Sequence, residues 1–374
     1  MNAPDDGPWF CDFNAGAPVL DEVLEEFVAT ERRCPANPAS THAAGRRARG
    51  VLEGARERIA NAFALRADDV VFTSGGTESA NLAVRGLGDE SLPVLLAPVE
   101  HPAVYEPAMQ RGALEWDIDA TGRAIVRRPE QPFGLVCMVH AQSELGTLQP
   151  VDEALELANA CDVPCFVDAA QTLGRVPLAG ICEQGAVLAL SPHKAGGLRG
   201  HGVLLGRDVA ARLRPMTRGG SQELGVRAGT QSPALAAANA LAIERAVREQ
   251  SQRAERMARV REEFLVALRA SGESFRVLTP LRDSLPNTVM LCFEGVDGHS
   301  LLPALDLAGV HASRGSACSS GAPTAPRVLT SMGIDDAVSR TCLRLSFSAC
   351  EDATKWRRVG ALVGEVVARL RKKK

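Results

Sequence analysis

The sequence predicts an α/β fold, with a large domain on a mostly parallel sheet and a smaller α+β domain. Three observations carry this. Over the first 240 residues, short wholly apolar runs alternate with helical segments. Such strands, buried on both faces, belong to parallel sheets covered by helices. Past residue 275 the alternation gives way to strand, helix, strand, helix. The length, 374 residues, suits two domains.

The elements follow in order. Residues 41–64 carry apolar residues at helical spacing among many Ala and Arg. VVFTS (70–74), PVLLAP (93–98), GLVCMVH (134–140), PCFVDA (164–169), AVLALS (186–191) and GVLLG (202–206) read as short apolar strands. ESANLAVRGL (78–87) and VDEALELANAC (151–161) read as helices between them. Residues 233–271 read as a long Ala/Arg/Glu-rich helix that leaves the large domain. Beyond it come a strand at 288–294, a helix at 299–309, the Gly/Ser/Pro-rich segment 313–326, a strand at 342–347 and a final helix from about 352. The expected division is 15–245 for the large domain, with 1–14 and 246–374 forming the small one. The terminal RLRKKK reads as a solvated helix end, where cations suit the dipole.

Composition excludes several classes. A net charge of −3 argues against a dominant nucleic-acid surface. No run approaches the length of a membrane span. The start, MNAPDDGPWF, lacks the basic region and apolar core of a signal peptide, so a cytoplasmic protein is expected. The ten cysteines contain no C-x-x-C pair and read as reduced thiols, with Cys137 and Cys292 inside apolar, core-like runs. None has ligand spacing, so no metal site is expected.

Lysine usage is sharper. Of 42 basic residues only Lys194, Lys355, Lys372, Lys373 and Lys374 are lysines. Either the composition favours Arg and Lys194 is a survivor, or Lys194 does something a guanidinium cannot, such as forming a Schiff base.

Four constellations carry chemistry. Thr73–Ser79 (TSGGTES) follows an apolar strand and opens a helix. It is either a plain strand-to-helix turn or an anion cradle of backbone N–H groups with the Thr77 hydroxyl. Asp168 ends the strand FVD, where it could cap a helix or face a ligand at the carboxyl end of a parallel strand. Ser191-Pro192-His193-Lys194 follows another apolar strand, with Lys194 26 residues after Asp168. A lysine, an acid and a phosphate cup, each at a strand end, are what pyridoxal phosphate (PLP) requires. Cys318 lies in the small, polar segment SRGSACSSG, which is either a surface turn or the setting of an exposed, reactive thiol.

Together these residues resemble the cysteine desulfurases, PLP enzymes of the class V aminotransferase group and fold type I. The matching motifs are CPANPASTHAAGRRAR (34–49), VVFTSGGTESANLAVRG (70–86), Glu100-His101, HAQSELGTLQP (140–150), FVDAAQTLGRVPL (166–178), LSPHKAGGLRGHGVLLG (190–206), GGSQELGVRAGT (219–230), SRGSACSSG (313–321) and LRLSFS (343–348). They stand in family order over nearly the whole chain. The cysteine motif is similar to the branch with a long mobile loop.

The resemblance implies a seven-stranded sheet, the conversion of L-cysteine to L-alanine, and transfer of sulfur to an enzyme persulfide. Lys194 would carry PLP as a Schiff base and Asp168 would hold the pyridinium. Gln171 would hold the phenolic oxygen, and His101 would stack on the ring and move protons. Gly76, Thr77, Ser191 and His193 would bind the phosphate, with Thr230 added from a second subunit of a homodimer. Arg344 would pair with the substrate carboxylate, Asn37 would lie near the substrate, and Cys318 would take the sulfur. An iron–sulfur scaffold or a sulfur-relay protein would accept it. Ser143 departs from the family's Asn at a position contacting cofactor and substrate, and Pro192 replaces a Gly, which φ near −65° tolerates. A selenocysteine lyase, a transaminase or a non-catalytic PLP-fold scaffold is the alternative, as is a PLP-free α/β binding protein.

Overall fold

A computed structural model describes residues 8–296, 298–315, 325–350 and 352–372. In chain order the strands are β1 (Trp9–Phe10), β2 (Val70–Thr73), β3 (Val94–Leu96), β4 (Ala113–Glu115), β5 (Leu135–Val139), β6 (Cys165–Asp168), β7 (Val187–Leu190), β8 (Gly202–Leu205), β9 (Arg276–Val277), β10 (Thr288–Cys292), β11 (Val310–His311) and β12 (Cys342–Ser346). The helices are α1 (Asp21–Arg33), α2 (Ala43–Ala62), α3 (Gly76–Gly86), α4 (Pro102–Arg111), α5 (Val151–Ala160), α6 (Val209–Arg212), α7 (Pro233–Arg248), α8 (Gln250–Ala270), α9 (Gly298–Leu307), α10 (Arg327–Ser331), α11 (Asp336–Ser339) and α12 (Arg357–Arg371).

All six apolar runs enter one seven-stranded sheet of order β2-β8-β7-β6-β5-β3-β4. Only β8 is antiparallel to its neighbours. The seventh strand, β4, was not legible because it lies at the edge and its ALE sequence is partly exposed. The central strands are buried along their whole length, so their apolar composition is a consequence of cover on both faces. Register sets the site: Val139 pairs with Asp168, and Asp168 with Ala189. The carboxyl ends of β5, β6 and β7 therefore lie side by side.

The expected helix over 233–271 is two helices. Glu249 leaves helical geometry (φ −97°, ψ 6°) and its carboxylate takes bonds from the Arg245 and Arg248 side chains. A second core joins Trp9, Cys11, Phe264, Leu291, Leu345 and Val363. It rests on a three-stranded antiparallel sheet, β12-β10-β9, and a two-stranded parallel pair, β1-β11. Helices α8 and α12 pack so closely there that a Cβ on Gly360 would lie 2.3 Å from the Phe264 carbonyl oxygen. Where the terminal segment is described, the end of α12 is not simply solvated as expected. Arg371 pairs with Glu273 and donates to the carbonyls of Ser274 and Glu294.

Candidate active site

A cavity of about 240 Å³ opens where the strand ends meet. Its floor comes from the large sheet. Asp168 closes β6, and its Oδ1 accepts from the Ala170 N–H at 2.9 Å across a turn; no helix starts there, so the carboxylate is not a helix cap. Ser191, His193 and Lys194 follow β7, with Pro192 to Lys194 forming a single 3-10 turn. Pro192 is the first residue of that turn, where no backbone N–H bond is needed.

The opposite wall is the start of α3. Gly76 and Thr77 line the cavity there, and a Cβ on Gly76 would come within 2.5 Å of Ser191 Oγ. Only glycine lets the helix N-terminus approach the serine hydroxyl this closely. The helix is held in place by Glu78, whose carboxylate accepts from the Ser74 N–H and from Arg227 Nε at 2.9 Å. Arg227 belongs to the 219–230 motif, and so does Glu223. Glu223 makes a buried two-pronged pair with Arg56 of α2, at 2.8 and 3.0 Å.

Arg344 reaches the cavity from the three-stranded sheet and is only 3% exposed. Its Nη2 donates to Asp12 Oδ1 at 2.6 Å and its Nη1 to the Ser143 carbonyl at 3.1 Å, while Nε is buried without a partner. Asn14 secures the same loop by donating from Nδ2 to the Ser143 carbonyl and to Thr288 Oγ1. The Ser143 hydroxyl turns to Glu144, which also lines the cavity and is bonded by Gln142. Gln171 is held at both ends: its amide donates to the Asn14 carbonyl and its oxygen accepts from Arg175.

Burial and charge set the titrations. The His101 imidazole is held below its ordinary value, by burial first and by the Lys194 charge, against the pull of Asp168. His101 Nδ1 accepts the Ala103 N–H at 3.1 Å. The neutral ring therefore carries its proton on Nε2. His193 is pushed down to about 4 by burial and by Lys194 and Arg199. Behind this floor Glu100 is 3% exposed and pushed up to about 8 by burial, with Asp168 adding repulsion. Its Oε1 accepts from the Val139 N–H at 2.6 Å and its Oε2 has no partner.

One cavity thus gathers Gly76, Thr77, His101, Ser143, Asp168, Gln171, Ser191, His193, Lys194 and Arg344. Asn37 and Thr230 are not among its lining residues. Both are exposed, and Asn37 is used locally, accepting from the Ala39 N–H at 2.8 Å. Cys318 lies outside the described residues; Gly315, three positions earlier, lines the cavity. Sequence reasoning missed Asp12, Asn14 and Glu144. Asp12 and Asn14 stand in CDFNAG, close to the chain start, where no apolar strand end announced them; Glu144 stood in a quoted motif with no charge partner nearby in sequence.

A lysine and a carboxylate at neighbouring strand ends, facing a glycine-opened helix N-terminus, define an α/β enzyme with a cradle for a phosphorylated cofactor. The chain belongs to the class V aminotransferase family, whose model matches residues 9–355. It is 33% identical to a cysteine desulfurase IscS of Dictyoglomus turgidum over 90% of this chain and 89% of that one. It is 30% identical to the cysteine desulfurase NifS of Azotobacter vinelandii over 97% and 93%. Among solved structures, a NifS-like protein superposes with a TM-score of 0.86 at 28% identity, covering 97% of this chain and all of that one. The structure of SspA in complex with cysteine superposes with a TM-score of 0.78 at 26% identity, covering 91% and 99%.

The cofactor of this family is PLP, and the residues present fit it. The Gly76 cradle would be filled by any Cβ. The donor set around it (backbone N–H groups, Thr77, Ser191) suits a phosphate, and Asp168 and Lys194, both lining the same cavity, suit a pyridinium and an aldehyde.

Proposed function

We propose that this protein is a PLP-dependent cysteine desulfurase that converts L-cysteine to L-alanine and passes the sulfur to Cys318. The observation that carries this is the convergence of Lys194, Asp168 and Arg344 on one cavity. The extensive likeness to curated cysteine desulfurases supports it, as does a neighbour whose structure holds cysteine.

Lys194 would hold the cofactor's aldehyde carbon, Asp168 its ring nitrogen, His101 its ring face and Gln171 its phenolic oxygen. Gly76, Thr77, Ser191 and His193 would hold its phosphate. When bound, PLP supplies an electron sink for charge developing at the substrate's α-carbon. Arg344 orients the substrate through its carboxylate, a task that suits a planar guanidinium. Because Asp12 and the Ser143 carbonyl already hold both Nη atoms, the guanidinium is pre-aligned before substrate arrives. The Lys194 amine, once free, removes the α-proton. His101, with its proton on Nε2 and its charge suppressed, moves protons without adding a cation to the site. The Cys318 thiolate attacks the substrate sulfur. An S–S bond forms, the substrate's C–S bond breaks with its electrons left on carbon, and protonation of that carbon gives alanine.

The reading includes a homodimer, in which the exposed Thr230 serves the partner's cavity. It also includes a large domain over 15–245, a small domain from 1–14 and 246–374, and a cytoplasmic location. Among the described residues no helix is long and apolar enough to cross a membrane. The sulfur acceptor would be an iron–sulfur scaffold or relay protein. The test is to supply purified protein with PLP and L-cysteine and to measure alanine, sulfide with and without reductant, and the mass of the Cys318 peptide. Alanine in step with an added sulfur on Cys318 is expected. Alanine without that sulfur overturns the persulfide step, and a keto acid in place of alanine makes the enzyme a transaminase.

A further inference from the structure

We propose that Cys292 and Cys342 form a redox-active dithiol that a peroxide closes into a cross-strand disulfide. The two residues are directly opposite each other on antiparallel β10 and β12. Phe293 N–H donates to the Thr341 carbonyl at 3.1 Å, and Phe347 N–H donates to the Asn287 carbonyl at 2.9 Å. These are hydrogen-bonded positions of the ladder. Cys292 and Cys342 are one step in from the first, so they occupy a non-hydrogen-bonded position, where Cα atoms are about 4.5 Å apart and side chains are closest. A disulfide spans Cα atoms roughly 4.4–6.8 Å apart.

The sulfurs lie on one face and share a partner. Cys342 Sγ is 3.5 Å from the Val338 carbonyl oxygen and Cys292 Sγ is 3.9 Å from it. The next residue across the sheet in this row is Arg276 of β9, paired with Cys292. It forms a row of guanidinium, thiol, thiol. The sulfurs themselves are covered, at 0% and 1% exposure of their residues, but the row ends in solvent, because the Arg276 side chain is 56% exposed. The Thr341 hydroxyl lies 3.0 Å from Cys292 Sγ. The Cys292 thiol is held below its ordinary value, by its hydrogen bond with Cys342 first and then by Thr341 and Arg276, against burial. Arg314 adds positive charge on the Cys342 side. Cys292, with the Thr341 hydroxyl 3.0 Å from its sulfur and Arg276 beside it in the row, is the attacking sulfur.

The chemistry balances. The Cys292 thiolate attacks a peroxide oxygen, the O–O bond breaks, and water leaves after protonation. The Cys342 thiol then attacks the sulfenic sulfur, an S–S bond forms, and a second water leaves. One hydrogen peroxide is reduced and two thiols are oxidised. Because Arg344 is two residues along β12, on the same face as Cys342, the link ties the strand that presents the substrate-facing guanidinium.

The test uses the full-length holoenzyme. It is treated with limiting hydrogen peroxide, alkylated, digested without reductant and mapped by mass. The expected result is a Cys292 peptide joined to a Cys342 peptide, two hydrogens lighter than the sum, and released by reductant. In Cys292→Ala the Cys342 peptide should stay unlinked. Both thiols fully alkylated after Cys318 has been oxidised, or Cys342 joined to Cys318 instead, overturns the proposal. The measurement reads no turnover, so it stands apart from the desulfurase assignment.

Discussion

The two walls of the cavity are built in different ways. The floor comes from neighbouring strands of one sheet: Asp168 ends β6, and Ser191 to Lys194 follow β7, with Asp168 already in register with Ala189. Its geometry is inherited from the ladder, so each group stands where a rigid strand ends. The Arg344 wall joins segments far apart in the chain. The Arg344–Asp12 bond spans 332 positions and the Asn14–Thr288 bond spans 274. It exists only because the chain's start is laid beside β12. In the proposed reading the floor would hold the cofactor and the distal wall would recognise the substrate.

If that division holds, variants of the two walls should fail differently. The largest effect should come from Lys194→Ala. Alanine formation should fall by roughly 10³-fold or more, since a covalent anchor and a base are lost together. The absorbance band near 400 nm of the holoenzyme should disappear, and a melting curve should show the fold retained. Asp168→Asn should come next. Its amide oxygen can still accept from Ala170 N–H, so folding survives. Turnover should drop by roughly 10²-fold or more for lack of a carboxylate partner to the ring nitrogen. An unchanged kcat would break the assignment of the floor to the cofactor.

Arg344→Ala should leave cofactor absorbance intact and raise KM for cysteine by on the order of 10²-fold, the scale of losing a charge-assisted pair. Arg344→Lys should recover only part of this, because an ammonium cannot keep Asp12, the Ser143 carbonyl and a carboxylate in one plane. Loss of PLP binding in the Arg344 variants would erase the distinction between the walls. The smallest effect on turnover should come from Glu100, behind the floor. Its carboxyl is raised to about 8. The folded protein therefore holds a proton there that the unfolded chain releases above pH 4.5. Its contribution to stability is complete below about pH 4.5 and is lost as pH rises through 8. Glu100→Gln should flatten that fall, worth on the order of a few kcal/mol, in urea titrations compared at pH 5 and pH 8.5.

What could be read from the sequence follows the same division. Every apolar run became a strand and the lone early lysine proved to lie beside Asp168. Both signals are contained in windows of about ten residues. The 233–271 stretch was legible as helix but not as two helices, because no glycine or proline marks the break at Glu249. Asn37 was placed near the substrate by the resemblance alone; its Oδ1 accepts from the Ala39 N–H, and no local pattern says more about its role.

The sequence by itself determined the parallel sheet, the glycine turn opening α3, and the lysine and aspartate at strand ends. Burial on two faces demands continuous apolar strands, and a helix N-terminus that approaches another backbone demands glycine. The tertiary structure alone decided that Asp12 and Asn14 would steady Arg344 and its loop, that Glu144 would face the same cavity, and that Cys292 would meet Cys342. Those pairings depend on register and chain closure, and no local pattern encodes which distant residue will lie across the ladder.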